Sequence, residues 1–122
     1  MTNGRIRNMD AFLDSFVEWS ILDGCFGDTT IHPTDIDGMV ERKGKCLFLE
    51  QKGAGVPLPT GQAIAFLSLA KQGNTVIVFW GKGEAIEKMR VITPCSDRMV
   101  PAGLWDLRNA VADWFLATDM EG

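Results

Sequence analysis

Apolar residues near the start of the chain recur at helical spacing and predict a first helix over residues 9–24, which Gly24 ends. Its apolar positions are Phe12, Phe16, Val17, Trp19, Ile21 and Leu22. Residues 25–34 are rich in Gly, Asp, Thr and Pro, so we expect a loop there, with a short extended stretch near Ile31.

A hairpin and a second helix are predicted next. Residues 36–42 and Lys45–Lys52 flank Lys43-Gly44, a tight connection that is typical of an antiparallel pair of strands. A Gly/Pro-rich loop over residues 53–61 leads into a helix that begins at residue 60 or 61 and ends at Gln72, where a glycine follows.

The remaining pattern predicts two more strands and a last helix. Residues 75–80 form a near-continuous run of β-branched and aromatic side chains, which is typical of a strand covered on both faces. A weaker strand spans residues 88–93. The final helix is amphipathic, with apolar positions at Leu104, Leu107, Val111, Trp114 and Phe115.

This α-β-β-α-β-β-α order predicts an α/β fold in which helices flank a mixed β-sheet. We expect one right-handed crossover between the strand that begins at Lys45 and the strand that begins at Thr75. A length of 122 residues is typical of a single domain, which we expect to cover residues 1–122.

The composition indicates a folded protein that stays in the cytoplasm. Hydrophobic residues make up 46% of the chain, enough for one core, and 23% charged residues do not indicate disorder. The longest apolar stretch, residues 63–70, is too short to span a bilayer, so we expect no membrane association. The N-terminus lacks the apolar segment of a signal peptide.

Cysteine and histidine are too scarce for several kinds of active site. Cys25, Cys46 and Cys95 are odd in number and far apart, unlike a disulfide framework or a zinc site. His32 is the single histidine, so zinc hydrolases and nucleophiles activated by histidine are poorly supplied. We expect reduced thiols, and catalysis that rests on carboxylates and lysine.

Candidate chemistry lies at the end of the second strand. Alternation sends Glu50 and Lys52 to one face of the sheet and Gln51 to the other. A carboxylate and an ammonium placed in this way can hold Mg²⁺ and orient a water, respectively. The hairpin would bring a second carboxylate alongside Glu50, with Asp37 as the preferred ligand and Asp35 as the alternative.

These residues resemble the PD-(D/E)xK nucleases, and within them the VRR-NUC domains. The run LEQKGAGVPLPTGQ, residues 49–62, is similar to that family's E-x-K-G loop, leucine and glutamine-bearing helix. The similarity covers residues 33–80 and implies a restriction-endonuclease-like fold. The family commonly places proline directly before its aspartate, whereas Pro33 stands apart here, and the choice between Asp35 and Asp37 stays open.

The resemblance implies a role for each matching residue. Asp37 and Glu50 would be the metal ligands, and Lys52 would position or activate the attacking water. Gln62 would support the site from the start of its helix.

An acidic residue on the first helix and a basic turn extend the implied site. Glu18, with Asp14 one turn earlier, would be a further metal ligand, although a solvated helix face accounts for both equally well. Arg42, Lys43 and Lys45 at the hairpin turn could contact the DNA backbone, or could simply form a soluble edge.

The implied function is a Mg²⁺- or Mn²⁺-dependent endonuclease that cleaves DNA, branched structures such as junctions or flaps above all. Related stand-alone domains, often phage or bacterial, resemble Holliday-junction resolvases that act as homodimers. The helix that carries Trp105 and Trp114 suits a dimer interface as well as a core.

Two other interpretations stay open. The net charge of −4 favours an inactive nuclease fold that binds or inhibits a protein partner. A purely structural α/β domain would require Glu50 and Lys52 to form an ordinary exposed pair.

Overall fold

The computed structural model describes residues 17–121 of the chain, which divides into two compact units, Met1–Pro33 and Thr34–Gly122. In the described part of the first unit, a 3-10 helix covers Trp19–Leu22 and turns follow it. None of the residues of this helix is buried. The expectation of a single domain over residues 1–122 stays a prediction.

The first predicted α-helix is wrong over its described residues. Residues 9–16 lie outside the described part, and residues 19–22 form the 3-10 helix instead. Its backbone bonds join residues three apart, as from the Ile21 N–H to the Glu18 carbonyl at 3.1 Å. Gly24 then takes a left-handed conformation, with φ +84°, and the chain continues through turns.

The second unit is a five-stranded mixed sheet with two helices. The strands are β1 Gly38–Arg42, β2 Lys45–Lys52, β3 Thr75–Lys82, β4 Ala85–Thr93 and β5 Ser96–Pro101, and they lie side by side in that order. Helix α1, Thr60–Lys71, connects β2 to β3, and α2, Leu104–Glu121, follows β5. β2 and β3 are parallel, and the other neighbours are antiparallel. The predicted α/β class with a mixed sheet is confirmed.

The order of elements in this unit is β-β-α-β-β-β-α, so the expected α-β-β-α-β-β-α order is wrong. The sequence pattern does not predict β5. This strand lies at the edge of the sheet with five of its six residues exposed, and Val100 alone of them packs against the core. An edge strand with so little burial carries no apolar alternation that would reveal it.

The β1–β2 hairpin and α1 form as the sequence predicts, although β1 begins at Gly38 and not at residue 36, and α1 ends at Lys71 and not at Gln72. Lys43 and Gly44 have φ values of +53° and +83°, the positive values that a two-residue type I′ turn requires at both positions. Gly73, with φ +101°, lets the chain leave α1 and enter β3.

Alternating side chains along the strands build one core on each face of the sheet. The core beneath α1 consists of Phe66, Ala70, Val76, Val78, Trp80 and Ile92. The core beneath α2 consists of Leu47, Ile77, Met89 and Ala102, against which Leu107, Ala110, Val111 and Trp114 pack. The two helices therefore cover opposite faces, and the side of the sheet under α1 is called the α1 face below. No helix within residues 17–121 is long and apolar enough to cross a membrane.

Candidate active site

Glu50 is the only buried charged residue among residues 17–120, with 5% of the residue exposed. It shares the α1 face with Phe48, two residues earlier on β2. The Asp37 N–H donates to Glu50 Oε1 at 3.2 Å, and Gln62 Nε2 donates to Oε2 at 3.1 Å. Lys52 Nζ lies 3.1 Å from the same Oε2. These three partners offset the loss of hydration that burial imposes on the carboxylate.

Asp37 directly precedes β1 and is held to β2 by its backbone and its side chain. Besides the bond from its N–H to Glu50, its Oδ2 accepts the backbone N–H of Gln51 at 2.8 Å. The side chain is exposed on its other side. Asp35 presents its backbone carbonyl to Gln62 Nε2 at 3.0 Å. Of the two aspartates that the sequence leaves open, Asp37 hydrogen-bonds directly to Glu50 and Gln51 of β2.

Gln62, the third residue of α1, connects the helix to this cluster. Its Nε2 donates both to Glu50 and to the Asp35 carbonyl, and these two acceptors fix the orientation of the amide. Its Oε1 is buried and has no hydrogen-bond partner in the described part of the chain. A buried acceptor without a partner is unusual, and this one belongs to the side chain that holds Glu50.

An open groove of about 550 Å³ lies at the carboxyl ends of β2 and β3. Its lining includes Asp37, Lys52, Lys82, Gly53, Gly81 and Gly83. The Lys52 side chain is 16% exposed, so it reaches from the buried Glu50 carboxylate to the groove. A ligand in this groove would therefore meet one carboxylate and two ammonium groups directly.

The rim of the groove depends on Gly81. Its φ is +142°, and a Cβ added there would lie 2.1 Å from the Ala85 carbonyl oxygen, so no other residue fits without a backbone shift. The pairing of β3 with β4 is irregular at this point. Gln51 holds the same turn, because its Nε2 donates to the Gly81 carbonyl at 3.1 Å and to the Gly83 carbonyl at 3.3 Å.

The basic hairpin residues lie at the other end of β2. Lys45 and Lys52 are the two ends of that strand, roughly 23 Å apart at about 3.3 Å per residue. Arg42 donates to Asp119 of α2 and stacks 3.7 Å from the centre of the Phe115 ring, and Lys43 Nζ lies 3.3 Å from Asp119 Oδ1. These contacts tie the hairpin to α2, and a DNA-contacting role for the turn stays a prediction.

The predicted third carboxylate belongs to the first unit. Glu18 precedes the 3-10 helix, and Asp14 lies outside the described residues. Within residues 17–121 no group of three His, Cys, Asp or Glu side chains is arranged to hold a metal ion. The ligand role of Glu18 therefore stays a prediction.

The oxygen atoms at and beside the groove are the kind of ligand that a hard divalent cation prefers. Mg²⁺ and Mn²⁺ prefer oxygen ligands, and Asp37 and Glu50 supply two carboxylates whose residues are directly hydrogen-bonded to each other. The unpartnered Gln62 Oε1 is a further buried oxygen beside Glu50. These oxygens are therefore suitable ligands for Mg²⁺ or Mn²⁺.

Sequence reasoning missed Lys82. The residue stands in Gly81-Lys82-Gly83, as the last residue of β3, and lines the groove with Lys52. The signal was present, because a crossover helix makes β2 and β3 parallel and so brings the residues after both strands to one edge of the sheet. The turn Gly-Lys-Gly then lies beside the end of Glu-Gln-Lys.

A second ion pair on the sheet, between Arg90 and Asp97, lies outside the candidate site. Arg90 of β4 donates to both carboxylate oxygens of Asp97 on β5, at 2.8 and 2.7 Å. The hydrogen bonds from Arg90 hold the pKa of Asp97 below its ordinary value, and those to Asp97 raise the pKa of Arg90. The Arg90 charge is therefore already neutralised by a neighbour.

The candidate site is thus built from four segments of the second unit: the residue before β1, the end of β2, the start of α1 and the end of β3. They bring together Asp37, Glu50, Lys52 and Gln62, as the sequence predicts, and they add Lys82. The comparisons with protein-family models, with curated proteins and with solved structures find no match to this chain.

Proposed function

We propose that this chain is a metal-dependent DNA endonuclease of the PD-(D/E)xK type, most similar to a stand-alone VRR-NUC domain with a restriction-endonuclease-like fold. Its substrate would be branched DNA, a junction or a flap. The reaction would be hydrolysis of a phosphodiester by a water molecule, leaving a 5′-phosphate and a 3′-hydroxyl.

One observation carries the proposal: the buried Glu50 carboxylate meets Lys52 and Asp37 where both of these line one groove. A buried ion pair contributes little net stability compared with apolar residues of the same size. Charged groups that are kept in such an environment are therefore candidates for function.

Asp37 and Glu50 would hold Mg²⁺ or Mn²⁺. When bound, such an ion stabilises the negative charge that develops on the phosphate and makes water a better nucleophile. Glu50 is prepared for this role, since the Asp37 N–H and the Gln62 amide fix the position of both its oxygens.

Lys52 would act on the water and the phosphate. Its ammonium can donate a hydrogen bond from Nζ to the attacking water or to a phosphate oxygen, because its side chain is partly exposed to the groove. Leaving its contact with Glu50 Oε2 would free Nζ for the substrate. Gln62 would act through Glu50, as a positioning residue that touches no reacting atom.

A homodimer would suit this activity, because a symmetric junction offers two equivalent strands to cut. Helix α2 leaves several large apolar side chains exposed, namely Trp105, Phe115, Leu116 and Met120. Trp114 packs on the sheet, so Trp105, at 70% exposure, is the tryptophan of this helix that could contact a second copy. Sedimentation velocity of the wild type and Trp105→Asp would test whether this face holds a dimer together.

Cleavage of labelled four-way junction, flap and linear duplex DNA with Mg²⁺ or Mn²⁺ tests the proposal. We expect the wild type to cut a branched substrate, and Glu50→Ala and Lys52→Ala to lose that activity. Lys71→Ala, at the far end of α1, is the matched control and should cut normally. Wild-type protein that cuts no substrate with either metal would refute the catalytic proposal.

The alternative is an inactive nuclease fold that binds or inhibits a protein partner, and the net charge of −4 favours it. A thermal-shift experiment separates the two functions. Mn²⁺ should stabilise the wild type and fail to stabilise Asp37→Ala if the carboxylates hold a metal. An equal response of both proteins would favour the binding module.

A further inference from the structure

We infer that Lys82 and Lys88 bind the phosphate backbone of the DNA that enters the groove. This inference rests on the proposed nuclease function and names the surface that holds its substrate. It replaces the basic hairpin turn as the main candidate for DNA contact.

Strand register places a basic row on the α1 face. Lys52 of β2 pairs with Trp80 of β3, and Trp80 pairs with Lys88 of β4, so the three side chains share one face. Two interstrand spacings of about 4.8 Å put the backbones of Lys52 and Lys88 roughly 10 Å apart. The row therefore leads directly away from the groove that Lys52 lines.

The side chain of Lys88 is directed along this row. Its Nζ lies 4.8 Å from the centre of the Trp80 ring, above which it is attracted by the aromatic face. Trp80 is itself fixed, because it is buried and its Nε1 donates to the Val56 carbonyl at 2.6 Å. The ring thus holds the ammonium of Lys88 beside Trp80, the residue that pairs with Lys52.

Both lysines are available to an anion. Within residues 17–121 neither Lys82 nor Lys88 forms an ion pair, whereas Lys52 pairs with Glu50 and Arg90 with Asp97. Lys82 is exposed on the groove itself. Two uncompensated cations on β3 and β4, beside Lys52 of β2, suit a ligand that carries repeated negative charges, as the phosphodiester backbone does.

The basic side chains of the hairpin turn are less available to a phosphate, because they already pair with a carboxylate. Arg42 and Lys43 share the carboxylate of Asp119, and they lie at the opposite end of β2 from Lys52.

The test measures how the affinity for a junction DNA depends on salt, with Ca²⁺ replacing Mg²⁺ so that the DNA is bound without turnover. We expect Lys82→Ala/Lys88→Ala to raise Kd about tenfold and to reduce the slope of log Kd against log salt by about 2, one unit for each lost phosphate contact. Lys82→Gln/Lys88→Gln, which keeps longer side chains beside Trp80, should give the same change, and thermal unfolding checks that both variants fold.

Lys71→Ala/Arg98→Ala is the matched control. It also removes two positive charges, one from the last turn of α1 and one from β5 on the opposite face of the sheet, and should change neither Kd nor slope appreciably. Equal slopes for the Lys82/Lys88 variants and this control would overturn the inference, while wild-type cleavage would leave the nuclease proposal standing. A wild type that neither binds nor cuts DNA would overturn both.

Discussion

The contact between Glu50 and Lys52 predicts that removing one charge destabilises the protein more than removing both. Lys52→Met keeps a long side chain but leaves the buried Glu50 carboxylate without its cation. Glu50→Gln/Lys52→Met removes both charges and keeps a polar amide at position 50. The difference in unfolding free energy between the two variants therefore measures the cost of leaving the Glu50 charge without its partner.

The size of the effect follows from burial. The side chains of Glu50 and Lys52 are 6% and 16% exposed, so solvent screens the pair only weakly. Leaving one charge of a buried pair alone costs about 3–5 kcal/mol, and the lower end applies because the Asp37 N–H and Gln62 still donate to Glu50. The double variant loses only neutral contacts, about 1 kcal/mol.

Urea unfolding followed by tryptophan fluorescence measures both free energies, since the chain has four tryptophans. We expect Lys52→Met to lose about 2 kcal/mol more than the double variant, which corresponds to a Tm difference of roughly 8 °C for a domain of this size. Equal losses in the two variants would show that the pair is solvated, and would refute the reasoning from burial.

The same variants respond differently to a divalent cation. In Lys52→Met a cation near Glu50 replaces the missing ammonium, so Mn²⁺ should stabilise this variant more than the wild type. At a free concentration one hundred times Kd the stabilisation reaches about 2.7 kcal/mol. The double variant, which lacks the Glu50 carboxylate, should respond less than either. A Mn²⁺ response that does not differ among the three proteins would place the metal elsewhere.

Two further predictions concern the sheet around the site. Gly81→Ala should destabilise the protein by more than about 3 kcal/mol in urea unfolding, because the new Cβ would overlap the Ala85 carbonyl oxygen; a loss below about 1 kcal/mol would contradict this. The pair of Asp97 with Arg90 should stabilise the fold by less than about 1 kcal/mol, since Asp97 is exposed. Its folded pKa is lowered, so this stability is present above the unfolded pKa near 3.8 and is lost as pH falls through the folded pKa. The difference in unfolding free energy between wild type and Asp97→Asn should therefore shrink only in that acidic range, and a difference that persists at lower pH would refute the assignment.

The sequence predicts those elements whose residue pattern is set by the element's own turn geometry or burial. Lys43-Gly44 supplies the positive φ values of a hairpin turn, and the apolar run at residues 75–80 reflects burial on both faces of β3. β5 lacks such a pattern, because it is mostly exposed and is held in the sheet by its backbone pairing with β4. The apolar spacing over residues 17–22 indicated an α-helix because periodicity alone does not separate α-helical from 3-10 hydrogen bonding.

For the site, alternation along one strand was sufficient to bring Glu50 and Lys52 together, and a hairpin was sufficient to add Asp37. The expected crossover, which makes β2 and β3 parallel, was enough to place Lys82, although this step was missed, whereas Lys88 required the register between β3 and β4, which the sequence of one chain does not state. Residues contributed by distant strands are therefore the ones that sequence reasoning missed.

The acidic net charge, which favours a protein partner over DNA, is concentrated in one part of the chain. Residues 1–33 contain five acidic and two basic residues, whereas residues 34–122 contain eleven acidic and ten basic residues. The unit that carries the groove is therefore close to neutral, and a divalent cation between Asp37 and Glu50 would reverse the sign of its net charge. Because phosphate binding depends on the charges near the contact and not on the total, the net charge of the whole chain does not decide whether DNA binds at the groove of this unit.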